Sequence, residues 1–439
     1  MTIESSDNIN RLIPSDIFNT LSFYRPVLEH PILKDFLVLS RAYESGLRGA
    51  EYRREYLNTY YHLKSLMLGY SFNKSEDTNY AKTPWKDFLI TQIVGNENPL
   101  TLLFERGPVT KQHPFAKSMY HEFEIFMKLY HFNWDAFLKE TNLDDTNIFS
   151  AHIFFPVPPC DEIDLAFSTE DIDKAFNATN EYINHHGLGI FEINVSFKIV
   201  DGGRLSPITN QKYKPMDSLV GYDMQKKELI ANTASFINNY TGLNVLLQGD
   251  MGTGKSTMVK ALLDTFKDTK LKMVEIKKDQ LEYIPSVIEY VKKRPYPFIL
   301  FIDDLSFDED DADYKIFKNV MEGSLEENPQ NVLIYATSNK RHLVTETMSE
   351  RDNAVHTKDV MEEKLSLSSR FGLVLTFEVP NQKGYLSMVL ELAKEAGIDM
   401  PTARIESLAI QWELRHLNRS GRTAEQFIDY LKINSFTED

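Results

Sequence analysis

The 439-residue sequence contains one cysteine, Cys160. A single thiol excludes an internal disulfide framework and a cysteine zinc cluster, and it fits a reducing compartment. Such a lone cysteine is more often a small buried apolar residue than a nucleophile. Positive charge is also in deficit: Lys+Arg 48 against Asp+Glu 64 leaves a net charge of −16. A molecule of that sign repels phosphate backbones and anionic lipid surfaces, which disfavours strong non-specific DNA binding. The opening residues MTIESSDNINRL lack a basic start followed by an apolar stretch, so no secretory signal is expected. No apolar run approaches the roughly 20 residues of a membrane helix. These absences predict a cytoplasmic protein without a membrane partner. Internal repeats and low-complexity tracts are missing too. The chain is 42% hydrophobic and 26% charged, the balance of a folded globular protein, and its length predicts about two to three domains.

From about Pro14 to Asn147 the pattern is mainly helical. Tyr52, Tyr56, Tyr60, Leu63 and Met67 recur every three to four residues, which places them on one packed helix face. The segment IFSAHIFFPVPPC breaks that rhythm because adjacent prolines force extended backbone. Gly187 to Val200 alternates apolar and polar residues and reads as a strand. His185 and His186 precede Gly187 at an expected helix end, where imidazole suits the carbonyl terminus. After the turn Asp201-Gly202-Gly203, SPITNQKYKP reads as a linker. This predicts a helical N-terminal domain over 1–200, a linker over 201–215, an α/β core over 216–379 and a helical lid over 380–439. In the core, NVLLQGD, KMVEI, PFILFID, NVLIYATS and GLVLTFEV are short apolar runs separated by helical stretches. That alternation implies a parallel sheet covered on both faces.

The phosphate chemistry is the most specific feature. Gly249-Asp250-Met251-Gly252-Thr253-Gly254-Lys255-Ser256 fits G-x-x-x-x-G-K-[ST] and lies between an apolar strand and a helix, with Thr257 next along. Glycines there let backbone N–H groups close around phosphate oxygens, and the helix adds its positive end. Lys255 is expected to neutralise the outer phosphates of a nucleoside triphosphate, and the Ser256 hydroxyl to join a Mg2+ shell. The strand FILFI delivers Asp303 and Asp304 at its tip. Asp303 suits the metal through its water shell, and Asp304 suits the attacking water. The acids Asp308, Glu309, Asp310, Asp311 and Asp313 read instead as a solvated turn. Asn339 ends the next strand with a neutral amide able to bond the water or the terminal phosphate. Asn339-Lys340-Arg341-His342 has His342 where a guanine-reading box requires Asp, which weakens a GTPase reading.

The phosphate loop, the DD tip, Asn339, the Ser369-Arg370-Phe371-Gly372 segment and a helical C-terminal lid, in this order, resemble the AAA+ ATPases from about Lys214 onward. The runs NVLLQGDMGTGKS, FILFIDDLSF, NVLIYATSNKRHL, EEKLSLSSRFGL and SGRTAEQF resemble, more narrowly, a bacterial ATP-binding family known as domain of unknown function 815. The resemblance implies a P-loop fold, ATP and Mg2+ as ligands, and Asn339 as the first sensor. It makes Arg370 an arginine finger acting in a neighbouring subunit, and so implies a homo-oligomer. Guanidinium suits the charge spread over a transferring phosphoryl group; the alternative for Arg370 is a surface ion pair within the chain, and Arg351 is a second candidate finger. Arg422 after Gly421 matches the second sensor, with Arg419 as competitor. Leu219-Val220-Gly221-Tyr222 matches the segment around the base.

Two departures bear on activity. Asp304 stands where the family usually has Glu, one methylene longer, so either slow hydrolysis or a water bridge from the carboxylate is expected. After KMVEI, Tyr283-Ile284 is followed by Pro285 and no glycine, which disfavours a polypeptide-threading motor. The leading expectation is an ATPase that remodels or loads a protein client recognised by the N-terminal domain. An ATP-dependent switch with little hydrolysis, and a nucleic-acid helicase loader, are the alternatives.

Overall fold

The computed structural model describes residues 15–44, 50–72, 80–141, 143, 148–149, 153–155, 161–209, 211–307, 312–322, 329–339, 369–416 and 418–435. The chain divides into two compact units, Met1–Ile193 and Asn194–Asp439.

The first unit is helical: α1 (Pro31–Glu44), α2 (Ala50–Phe72), α3 (Pro84–Gly95), α4 (Pro99–Arg106), α5 (Ala116–Tyr130), α6 (Trp134–Glu140), α7 (Asp161–Ser168) and α8 (Ile172–His186). Strands β1 (Tyr80–Lys82) and β2 (Ile153–Phe155) form a small antiparallel pair. Of the expected stripe on α2, Tyr60, Leu63 and Met67 are fully buried and Tyr56 packs against their core, while the side chain of Tyr52 lies outside the described residues. Caps set the helix ends. Asn98 accepts from the N–H groups of Leu100 and Thr101 to start α4, with Pro99 at the first turn where its missing donor costs nothing. Gly187, at φ 95°, ends α8 beside His185 and His186.

The second unit holds a seven-stranded sheet built from β3 (Ser196–Val200), β4 (Arg204–Pro207), β5 (Val245–Gly249), β6 (Lys272–Ile276), β7 (Phe298–Ile302), β8 (Val332–Ser338) and β9 (Leu373–Phe377). The strand order is β4-β3-β6-β7-β8-β5-β9, all parallel except the edge strand β4. All five apolar runs of the sequence are strands of this sheet. β7 and β8 are buried along their whole length, as strands covered on both faces must be. Between the strands run α9 (Asp223–Asn239), α10 (Lys255–Thr265), α11 (Ile284–Val291) and α12 (Ala312–Glu322). The lid is α13 (Gln382–Glu395), α14 (Thr402–His416) and α15 (Gly421–Ser435), closed over its own core of Tyr385, Val389, Ala409, Ala424 and Phe427.

The domain junction differs from the sequence expectation. Only Ser196–Val200 of the Gly187–Val200 run is strand, because Gly187 caps a helix and Gly189 opens a short 3-10 turn at φ 59°. That strand pairs in parallel with β6, Ser196 opposite Met273, and β4 falls in the stretch read as linker. Residues 196–207 therefore widen the core sheet, and the break between units lies at Ile193. The segment after β6 differs from an extended pore loop: it is a 3-10 turn (Lys278–Tyr283) running into α11. It is tied to the sheet by Gln280, which donates to Ile199 O at 3.2 Å.

Candidate functional site

The parallel strands end together. Gly249, Ile276, Ile302, Ser338 and Phe377 all terminate strands along one rim of the sheet. In the order β7-β8-β5-β9, the phosphate-loop strand β5 lies two strands from β7, a separation of about 10 Å. The tip of β8 fills that gap.

Three glycines make the loop possible. Gly249 (φ 138°) lies so close to β9 that an added Cβ would come within 2.0 Å of Phe377 O, so no other residue fits. Gly252 (φ 82°) presses on the lid, where a Cβ would lie 2.8 Å from Ser420 Oγ. Gly254 (φ 89°) turns the chain into α10, whose free N–H groups and dipole face the cleft. Asp250 and Met251 are exposed at the loop's crest, and Thr253 is buried, its hydroxyl donating to Asp250 O at 2.9 Å.

Lys255 is buried, and its ammonium donates to Gly249 O at 2.9 Å, Asp250 O at 2.8 Å and Asn339 Oδ1 at 3.0 Å. Burial holds its pKa below the usual lysine value, against the opposing pull of the Asp250, Asp304 and Asp303 carboxylates. An arriving polyanion would return the stabilisation that burial removes. Ser256 Oγ donates to Asp303 Oδ1 at 2.5 Å, so a hydroxyl and a carboxylate, both hard oxygen donors suited to Mg2+, are already side by side. Asn339 Nδ2 donates to Asp304 Oδ1 at 2.7 Å. Asp304 adopts φ 57°, a left-handed conformation costly for a residue other than glycine. The donor set thus fits a triphosphate with a divalent cation.

These groups line one cleft of about 540 Å³, together with Thr257, Leu219, Val220, Tyr222, Met388, Leu392 and Arg422. Leu219, Val220, Met388 and Leu392 make its apolar end, and Tyr222 fixes that end by donating to Glu378 O at 2.7 Å. Burial, then the Asp250 charge, pushes the Tyr222 phenol up to about 12, so it remains a donor. Arg422, on the first turn of α15, reaches the cleft and its N–H approaches Gly252 O at 3.4 Å. Arg419, its competitor, instead pairs with Glu413 at 2.5 Å.

Arg370 is not in this cleft. It lines a pocket with Leu243, Asn244, Leu333 and Gly372, at the opposite ends of β5, β8 and β9, about 17 Å away across a five-residue strand. Arg351, Cys160, Lys340, Arg341, His342 and the acids 308–311 lie outside the described residues, as does the side chain of Asp313.

Sequence reading missed Thr337. It is buried on β8, and its hydroxyl donates to Asp303 Oδ1 at 2.6 Å while accepting from Asp304 N–H at 2.9 Å. The signal was present in the period of two: Thr337 and Asn339 share a strand face.

The parallel sheet covered by helices, the phosphate loop after β5 and the acidic tip of β7 make a P-loop α/β fold, the fold that the resemblance to AAA+ ATPases implies. Comparison with solved structures finds the RuvB Holliday junction branch migration motor of Thermotoga maritima, 15% identical, with a TM-score of 0.36. The match covers 49% of this chain and 63% of that one, less than two thirds of the motor's length. A point mutant of the same motor matches at 16% identity and TM-score 0.36, over 49% of this chain and 64% of that one. Among the curated proteins nothing matches. Residues 193–435 match the family described as "Protein of unknown function (DUF815)", more than half of the chain, and the chain belongs to that family.

Proposed function

We propose that this protein binds ATP with Mg2+ in the cleft and hydrolyses it to remodel or load a protein partner engaged by the N-terminal unit. The observation that carries the reading is the convergence, in one cleft, of the Lys255 ammonium, the Ser256–Asp303 pair and the Asp304–Asn339 pair. Loop N–H groups and Lys255 cradle the phosphates, and Arg422 adds charge from the lid. Ser256 would hold the metal and Asp303 would hold it through its water shell; a bound Mg2+ would supply charge that stabilises the phosphate oxygens. Asp304 orients the attacking water and takes its proton, while Asn339 sets the carboxylate's position. Leu219, Val220 and Tyr222 flank the adenine. Arg370, at the far rim of the sheet, acts in the site of a neighbouring copy, which makes the working form a homo-oligomer. Purified protein is expected to turn over ATP, with Lys255→Ala and Arg370→Ala each lowering the rate about a hundredfold or more. ATP binding without turnover at any protein concentration overturns the hydrolytic reading.

A second reading, a nucleotide switch with little hydrolysis, is favoured by one observation: the short Asp304 side chain is engaged by Asn339 at 2.7 Å. Asp304→Glu separates the two. A gain in turnover of about tenfold supports the switch, and a loss of that size supports a site tuned to aspartate.

A further inference from the structure

We propose that Thr337 is a positioning residue that sets both carboxylates of the cleft with one hydroxyl; this rests on the reading of the site given above. A hydroxyl has one proton to donate and two lone pairs. Thr337 gives its proton to Asp303 Oδ1 at 2.6 Å and accepts the Asp304 N–H at 2.9 Å. Its own backbone carbonyl accepts from Leu305 N–H at 2.7 Å. The tip of β7 is therefore strapped to β8 on both sides of Asp304.

Each bond has a separate consequence. Asp303 Oδ1 takes two hydroxyl protons, from Ser256 and Thr337. With both donors on one oxygen the carboxylate is held in one rotation, and its Oδ2 is left for metal-bound water. The bond from Asp304 N–H supports a left-handed φ of 57°, a conformation costing an L-residue about 1 kcal/mol or more. That conformation aims the Asp304 carboxylate along the tip of β8, where Asn339 Nδ2 meets it at 2.7 Å. Thr337 is 2% exposed, so a valine of the same branched shape leaves no room for a water in place of the hydroxyl. Two positions from Asn339, Thr337 stands on β8, the strand between β5 and β7, and both of its side-chain bonds run to the tip of β7. Thr337 borders the cleft, and its hydroxyl bonds run to Asp303 and Asp304, through which it acts.

The test is calorimetric titration of the full chain with ATP, in EDTA and across a Mg2+ series, for wild type and Thr337→Val, →Ala and →Ser. Valine keeps the branched shape and removes the hydroxyl; alanine covers the case in which valine does not fold. Both are expected to raise the Mg2+ concentration for half-maximal enhancement about tenfold, the effect of losing one hydrogen bond to a charged group. Both should leave affinity in EDTA unchanged, and serine should restore the wild-type series. A Mg2+ response in Thr337→Val and Thr337→Ala equal to that of wild type overturns the inference alone. Wild-type affinity indifferent to Mg2+ overturns the reading of the site and this inference with it.

Discussion

Each unit of the molecule holds a carboxylate against hydrogen-bond donors, Glu122 buried and Asp303 half-buried, and the two differ in how those donors are shared between the oxygens. In the N-terminal unit, Glu122 on α5 is 1% exposed; its Oε1 accepts from the N–H groups of Ser22 and Phe23 at 2.7 Å, and its Oε2 from Tyr24 N–H at 2.8 Å. Both oxygens are spent on backbone, and the acid fixes the chain where it passes from one 3-10 turn to the next. Burial, reinforced by that charge, pushes the neighbouring Tyr24 phenol far above its ordinary value. In the C-terminal unit, Asp303 also accepts two donated protons, but both fall on Oδ1 and the side chain lines a cleft. A buried acid is therefore not in itself a sign of chemistry. The distribution of donors over its two oxygens separates a structural acid from one with an oxygen to spare.

Replacing each acid by its amide puts that distinction under the greatest strain. Asn at 303 keeps an oxygen for both hydroxyls, so Asp303→Asn is expected to alter stability by less than about 1 kcal/mol. The charge beside the metal is lost, and ATP turnover should fall about a hundredfold. Gln at 122 offers one oxygen to donors that approach from both sides, leaving an amide N–H facing the Tyr24 N–H. Glu122→Gln should cost about 2 kcal/mol of stability in chemical denaturation, with ATP affinity unchanged. If Asp303→Asn destabilises the chain as much as Glu122→Gln and turns over normally, the contrast collapses.

The same contrast explains what the sequence could disclose. The phosphate loop was legible because its chemistry is local: three glycines, one lysine and one serine within eight residues, each required by backbone conformation or charge. The strands β5 to β8 were legible because burial on both faces demands unbroken apolar runs; the edge strand β9 is buried only at alternate residues and was legible from its β-branched run. Glu122 and Thr337 were not, since their partners are brought in by tertiary packing: Ser22 lies 100 residues from Glu122, and Asp303 lies 34 from Thr337. The domain break was misplaced for a related reason. β3 alternates apolar and polar residues as an independent strand would, and nothing in its own pattern names β6 as its neighbour. Arg370 was singled out by its order in the sequence alone, and its distance from the cleft follows only from the length of β5.

A smaller effect sharpens the comparison on the cationic side. Burial lowers the Lys255 pKa, and the three nearby carboxylates only partly oppose it. A base with a lowered folded pKa gives up its proton as pH rises through that value, before the 10.5 of a free lysine. Bound phosphate favours the charged amine, so ATP binding should take up protons on the alkaline side. Affinity should begin to fall below the usual lysine range, by up to about tenfold per pH unit once Lys255 is mostly neutral. Stability of the nucleotide-free chain moves oppositely between the lowered pKa and 10.5, because the folded state no longer carries a buried charge that the unfolded state still holds in water. Lys255→Arg, whose guanidinium stays charged throughout, should bind more weakly than wild type but with a flat pH profile over the same range. Calorimetry in buffers of different ionisation enthalpy measures the proton uptake directly. A wild-type profile as flat as that of Lys255→Arg would mean that the ammonium is solvated in the working protein, and that the cleft is more open than its hydrogen bonds imply.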